Sequence, residues 1–416
     1  MVYRQIFIYF FCYFFSAVVS FGVVSLLTHH LSTADYGVVN LYGSFTLLLT
    51  PFVTGGILTT INVEYFKKTH DEYAHFLGNA LMIPLVSTVF FTLLAFLFDK
   101  SIATLLGVSP FYVWLLPCSA LFLLLYEIVT SICRNKNTVL LFAGLSIGKV
   151  LLEAGFSVLL VLVLHQTWNG RIGGSMVGYV ILMVPVLVIL YRMGFLKRFS
   201  DWQSVKNILY VSAPFIPERL ASFVLTSSDR YFINNYVNIS EVGLYGIGAQ
   251  MAIIVNLSLL SMNSFFFPFI MKAIRQWEEN GTGRVGRAIA IYFSVSIFAI
   301  IAVLVATPFV FKWFIGNDFQ GGQRYALMLT IAYVPWAAYQ SLLPVLLYYQ
   351  ENKFIMMTAI IAMLISLVSN FILVPSIGAF GASCTLLIVN TLMMLIVFYR
   401  VRGKYSFALK FKPGNA

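Results

Sequence analysis

The chain has 416 residues, of which 60% are apolar and 10% charged, and its mean hydropathy is +0.90. A soluble domain carries about 25% charged residues, so these figures exclude a soluble enzyme, a disordered chain and a nucleic-acid-binding domain. The formal charge of +11 lies mostly between apolar runs, where it reports membrane orientation rather than nucleic-acid binding.

Twelve apolar runs follow one another, at about 6–29, 36–60, 76–98, 111–133, 138–164, 172–195, 207–236, 243–271, 286–313, 325–348, 354–376 and 379–399. Each reaches the roughly 20 residues that a helix needs to cross a bilayer, and barrel strands would be far shorter and alternating. The pattern predicts an all-α integral membrane protein with twelve transmembrane helices. The first run, behind Arg4, is longer than the roughly 7–15 apolar residues of a signal peptide and reads as a retained span. The longest polar connections are about 61–75, 196–206 and 272–285, none of them long enough for a separate soluble domain.

Gly55-Gly56 in the second run and Gly173-Gly174 before the sixth allow close helix approach. Glu127 lies about two turns from the end of the fourth run, where snorkelling to the interface competes with a functional role. In the fifth run Ser146, Lys149, Glu153 and Ser157 follow at steps of three, four and four and share one helical face. Lys149 and Glu153 either pair with each other, or Lys149 attracts an anionic substrate while Glu153 binds a coupling cation. The seventh run repeats the spacing with Arg219, Ser222, Thr226 and Arg230. Asp229 borders that stripe, Asn234 extends its outer end, and Pro214 and Pro217 favour a kink beneath it. The stripe reads either as the lining of a cavity or as a structural cluster of ion pairs.

Seven charged groups fall inside runs: Glu127, Lys149, Glu153, Glu218, Arg219, Asp229 and Arg230. Facing lipid they would cost on the order of 20 kcal/mol together, so they are expected to face protein or a wet cavity. Four are negative and three positive, and a phosphate would have to recruit the arginines from acidic neighbours. Arginine suits phosphate because its planar fork donates two bonds at once.

With the N-terminus in the cytoplasm, 19 Lys and Arg fall on the cytoplasmic side and 4 on the other, with Lys149, Arg219 and Arg230 inside spans. That bias places both termini in the cytoplasm. A basic tail, Arg400 to Lys412, holds the C-terminal end there against anionic lipid.

The chain also repeats itself. Ala34-Asp35-Tyr36-Gly37 before the second span matches Ser240-Glu241-Val242-Gly243 before the eighth, 206 residues later. In both, an acidic residue precedes a glycine by two positions and opens an apolar helix. Six spans plus six predict two lobes, 1–195 and 207–400, joined by a cytoplasmic linker, 196–206, and followed by the tail 401–416. Sites in such transporters lie between repeats.

No HExxH, Walker or GxSxG motif is present, so transport energy is expected from an ion gradient, the membrane potential or a separate subunit. Cys12, Cys118, Cys133 and Cys384 lie in or beside apolar runs with no CxxC spacing and read as small core residues. The five histidines lie at span ends or in loops, where interfacial roles are expected. Neither a metal nor a cofactor is expected, and the chain is read as a carrier rather than an enzyme.

Leu31-Ser32-Thr33-Ala34-Asp35-Tyr36-Gly37 after span one, and Thr226-Ser227-Ser228-Asp229-Arg230-Tyr231-Phe232-Ile233 through Ser240-Glu241-Val242-Gly243-Leu244-Tyr245, resemble the bacterial O-antigen polysaccharide flippases. These form a branch of the multidrug/oligosaccharidyl-lipid/polysaccharide exporter superfamily. The resemblance implies two six-helix lobes around a V-shaped central cavity in the bacterial inner membrane. It implies alternating-access flipping of undecaprenyl-diphosphate-linked oligosaccharide, alongside a polymerase and a chain-length regulator of the same pathway. Arg219 and Arg230 would then contact the diphosphate or sugars, with Lys149, Ser222 and Thr226 in the cavity. Glu153, Glu218 and Asp229 would couple ions or pair structurally. A cation-coupled multidrug exporter of the same superfamily is the runner-up. A membrane glycan polymerase is disfavoured, because the outer loops, such as 238–242, are short.

Overall fold

Helices occupy all twelve apolar runs. The computed structural model describes residues 2–195, 197, 200–281 and 284–406, with the side chains of residues 2–7, 10 and 13 outside that description. The positive charges assigned to Arg4, Arg198, Lys410 and Lys412 fall outside the described side chains. Helix α1 is Val2–Thr28, α2 Thr33–Thr54, α3 Ile57–Lys67, α4 His70–Leu97, α5 Asp99–Leu106 and α6 Pro110–Asn135. Helix α7, Val139–Val158, ends in a π-helical turn, Leu159–Val163, before α8, Trp168–Arg192. Then come α9, Trp202–Ser212, α10, Phe215–Ser227, and α11, Asp229–Tyr236. The chain continues with α12, Ile239–Asn280, α13, Val285–Phe314, a 3₁₀ turn, Asn317–Gly322, α14, Gln323–Tyr348, α15, Asn352–Ile377, and α16, Ala379–Lys404.

Ten described helices are long and apolar enough to cross a membrane, and the pair α9–α10, bent by 45°, makes an eleventh if it is one span. The described apolar part of α1, Phe14–Thr28, is shorter. This is an all-helical, multi-pass membrane protein, and no strand occurs among the described residues.

Two of the predicted runs are broken. The second divides into α2 and α3 at Gly55 and Gly56, both left-handed, at φ 58° and 68°. A Cβ on Gly56 would lie 2.7 Å from the Ser212 carbonyl oxygen, so the glycine is needed for both its conformation and the close approach. The seventh run breaks twice, between Ser212 and Phe215 and at Ser228. At the second break the Ser228 hydroxyl donates to the Val224 carbonyl at 2.7 Å, competing with the helix ladder. The expected continuous stripe from Arg219 to Arg230 is therefore carried by two helices.

Two compact units result, Met1–Phe223 and Val224–Ala416. In the first, α2, α4 and α8 pack on α6, α7 packs on α8, and α1 on α7. In the second, α12, α13 and α16 pack on α14, α15 packs on α16, and α11 on α15. Numbered by run within each unit, these are the same pairs. Between membrane helices, close packing rather than water exclusion provides the attraction, and glycines allow it. A Cβ on Gly174 of α8 would meet the Ser157 backbone nitrogen of α7 at 2.5 Å, and one on Gly381 of α16 would strike the Leu373 carbonyl of α15. The 206-residue motif likewise marks helix starts. Ser32 and Asn238, at that same separation, are the N-caps of α2 and α12, each accepting from the backbone of the acidic residue three positions on.

Ser200, in the expected linker, donates its backbone N–H to Asn79 Oδ1 of α4 at 2.8 Å. Asp201 caps α9, accepting from the Ser204 N–H at 2.7 Å. The buried residues Val205 and Ile208 lie on α9, which packs on α3 and α4. At the other end of the chain, Arg400 and Lys404 of the expected tail belong to α16 and bind Glu351 at 2.8 and 2.5 Å.

Candidate functional site

A cavity of about 480 Å³ opens within the first unit. Its lining comes from five helices. Helix α1 contributes Ser16; α3 contributes Leu58 and Asn62; α10 contributes Arg219. Helix α6 contributes Tyr126, Glu127, Thr130, Ser131 and Arg134, and α7 contributes Phe142, Ser146, Lys149 and Val150. Both broken helices thus deliver side chains just past their breaks: Asn62 after Gly55-Gly56 and Arg219 after Pro214. The breaks touch one another, because the hydroxyls of Thr60 and Ser212 share a buried hydrogen bond of 2.7 Å.

Polar contacts brace the walls. The Ser131 hydroxyl donates to Asn62 Oδ1, tying α6 to α3. With that oxygen occupied, the amide nitrogen of Asn62 remains as a donor. The Tyr126 hydroxyl donates to Ser146 at 3.4 Å, tying α6 to α7. Lys149 pairs with Glu153 at 2.8 Å, and its ammonium stands 5.6 Å from the Tyr126 ring centre and 5.7 Å from that of Tyr179. The Arg134 guanidinium lies 5.7 Å from the Phe142 ring centre. Among the described residues, three cationic groups therefore line a cavity that holds one carboxylate, Glu127. Such a set is chemically suited to a multiply charged anion, since charge-assisted bonds to arginine are the strong ones.

Of the residues singled out from sequence, Glu127, Ser146, Lys149 and Arg219 come together here. Glu153 stands behind Lys149 as its i+4 partner. Glu218 is exposed beside Arg219, and Ser222 and Thr226 are exposed further along α10. Arg230 and Asp229 lie in the second unit and are not among the cavity's lining residues. The Arg230 guanidinium donates to Asp229 Oδ1 and to the Thr226 carbonyl, both at 3.1 Å. Asp229 also accepts the Arg230 backbone N–H at 2.9 Å and the hydroxyl of buried Tyr245. This pair satisfies backbone groups freed where α10 gives way to α11.

Asn62, Ser131 and Arg134 were missed as site residues. Neutral side chains inside a span carry no distinguishing signal. Arg134 sits at the end of α6, where charge counting takes it for a topological anchor.

The family described as polysaccharide biosynthesis protein matches residues 2–274 of the chain. Lsg locus putative protein 1 of Haemophilus influenzae is 26% identical over 173 residues, 41% of this chain and 43% of that protein. The alignment thus covers less than half of that relative. Among solved structures, a lipid II flippase MurJ in an inward closed conformation superposes with a TM-score of 0.76 at 15% identity, covering 96% of this chain and 89% of that one. A multidrug resistance MATE family transporter of the MOP superfamily, facing inward, gives 0.71 at 14% identity over 94% and 95%. At these identities the likeness is one of fold.

Proposed function

The chain belongs to the polysaccharide biosynthesis protein family, and from that footing we propose that it flips undecaprenyl-diphosphate-linked oligosaccharide repeat units. The direction is from the cytoplasmic to the periplasmic leaflet of a bacterial inner membrane, by alternating access, for O-antigen or a related surface polysaccharide. The protein acts as a carrier, without chemistry on its cargo. The observation that supports this reading is the meeting of Arg134, Lys149 and Arg219 around one cavity. A diphosphate diester carries two negative charges, which match such a set through bidentate guanidinium bonds, while the lipid tail stays in the bilayer. Asn62, Ser131 and Tyr126 offer neutral donors and acceptors to the sugar next to the phosphates. The lobes 1–195 and 207–400, with both termini cytoplasmic, belong to the same proposal, as do a polymerase and a chain-length regulator as pathway partners. Arg230 and Asp229 enter it as the joint between α10 and α11.

The test is the sidedness of the lipid-linked oligosaccharide in cells depleted of the protein. Accumulation on the cytoplasmic face is expected. Normal flipping with unpolymerised repeats outside would indicate a polymerase. Normal flipping and polymerisation would move export of drugs or other small molecules to the front.

A further inference from the structure

The cavity contains an anion of its own. Glu127 lines it beside Arg134, Lys149 and Arg219. Among the described residues, that carboxylate closes onto none of them within 4.0 Å. Among the described residues, the elements around it add no further charge to the lining: α1 brings Ser16, and α3 brings Leu58 and Asn62. Glu153, one turn beyond Lys149, is occupied in its 2.8 Å pair and does not line the cavity. Glu127 therefore shares one cavity with all three cations. A bound diphosphate would have to share that space with it.

We infer that Glu127 is the built-in counter-anion of the cavity, and that binding of an anionic headgroup is coupled to its protonation. Without cargo, the carboxylate offsets the repulsion between the two arginines, while Lys149 keeps its pair with Glu153. When a diphosphate diester enters, it draws the same cations and adds negative charge beside the carboxylate. Both changes favour the neutral acid, so one proton is taken from solvent onto Glu127 as the headgroup binds. On release the proton leaves, and the restored carboxylate opposes rebinding. A carrier needs a site weak enough to leave as well as strong enough to enter, and three cations without this residue would hold the headgroup too tightly. This inference rests on the reading of the cavity as the headgroup site.

The experiment is calorimetric binding of farnesyl-diphosphoryl-N-acetylglucosamine to the purified full chain. It is run at two pH values and in two buffers of different ionisation enthalpy. The probe is a diphosphate diester, ionised throughout the neutral range, so it brings no proton change of its own. The wild type should bind more tightly at the lower pH and take up protons on binding. Glu127→Gln should bind about tenfold more tightly near neutral pH and lose both the uptake and the pH dependence. It should also flip more slowly in vesicles. Glu127→Ala serves as the second variant if the glutamine protein does not fold. Uptake that persists in these variants, or wild-type binding with no uptake, overturns the inference and leaves the headgroup site standing. A wild type that does not bind the probe overturns the headgroup site itself, and the inference with it.

Discussion

Arg219 stands in the second turn of α10, just past the Pro214 break, and lines the same wall as Lys149 on α7. Charge-assisted bonds contribute about 1.5–3 kcal/mol each. Arg219→Ala is therefore expected to abolish export at an unchanged protein level, and surface glycan in a depleted background is the measurement. Unaltered glycan would remove Arg219 from the site. Glu351 carries a separate prediction. It accepts from Lys404, Arg400 and Tyr405 at 2.5, 2.8 and 2.8 Å. These bonds, led by that from Lys404, hold its carboxyl at about 2, below the ordinary 4.5. A carboxyl whose folded value is lowered stabilises the fold above its unfolded value and loses that contribution as pH falls toward the folded one. Thermal unfolding should therefore worsen as pH drops from about 4.5 toward 2, and Glu351→Gln should flatten that loss. Charge inside apolar runs made Arg219 and Lys149 legible, and the i+4 spacing made the Lys149–Glu153 pair legible. Asn62 and Ser131 stayed hidden because a neutral polar residue costs too little in a span to demand an explanation.

The rods themselves were readable from hydropathy, and the bend at Pro214 from its prolines, but the breaks at Gly55-Gly56 and Ser228 were not. Apolar character continues through Gly55-Gly56 and through Ser228, so a window of twenty residues sees one helix in each case. Gly55-Gly56 was recognisable as a close contact; that both glycines are left-handed depends on what packs against them. Gly56→Ala should test that dependence. A left-handed alanine costs about 1–2 kcal/mol, and the Ser212 carbonyl at 2.7 Å from the added carbon adds to it. The variant should unfold at a lower temperature than wild type in detergent, whereas Gly144→Ala on α7, whose Cβ meets nothing within 4 Å, should not. Equal midpoints would show that the crossing tolerates a side chain. The expected stripe on the seventh run had the same origin: its spacing is helical, yet Asp229 and Arg230 serve the start of a new helix.

Across the whole chain, the two units repeat one packing scheme with different chemistry. The turn after α6 and the turn after α14 match in detail: Asn137 and Gln350 are both left-handed at φ 55°, and both turns are closed by the same pattern of backbone bonds. Helix counting puts these two turns on one side of the membrane and the connections at Gln166 and Gly378 on the other. After replacement of the four native cysteines, single cysteines at 137 and 350 should react with an impermeant reagent from one face, and those at 166 and 378 from the opposite face. A mixed result would contradict the span order. The repeat was visible in sequence only at the two helix caps, because packing constrains shape more strongly than it constrains residue identity.

The contact between the two broken helices of the first unit has a mechanical meaning. A continuous helix resists bending because each bend strains a ladder of backbone bonds. At Gly55-Gly56 and between Ser212 and Phe215 that ladder is already open, so flexing there costs the least. Asn62 and Arg219 sit on the far limbs of these two joints. Any load that draws those side chains together acts on both limbs at once, as fingers act on the blades of tweezers. Binding work done in the cavity is thereby delivered to the most compliant points of the helices that form it.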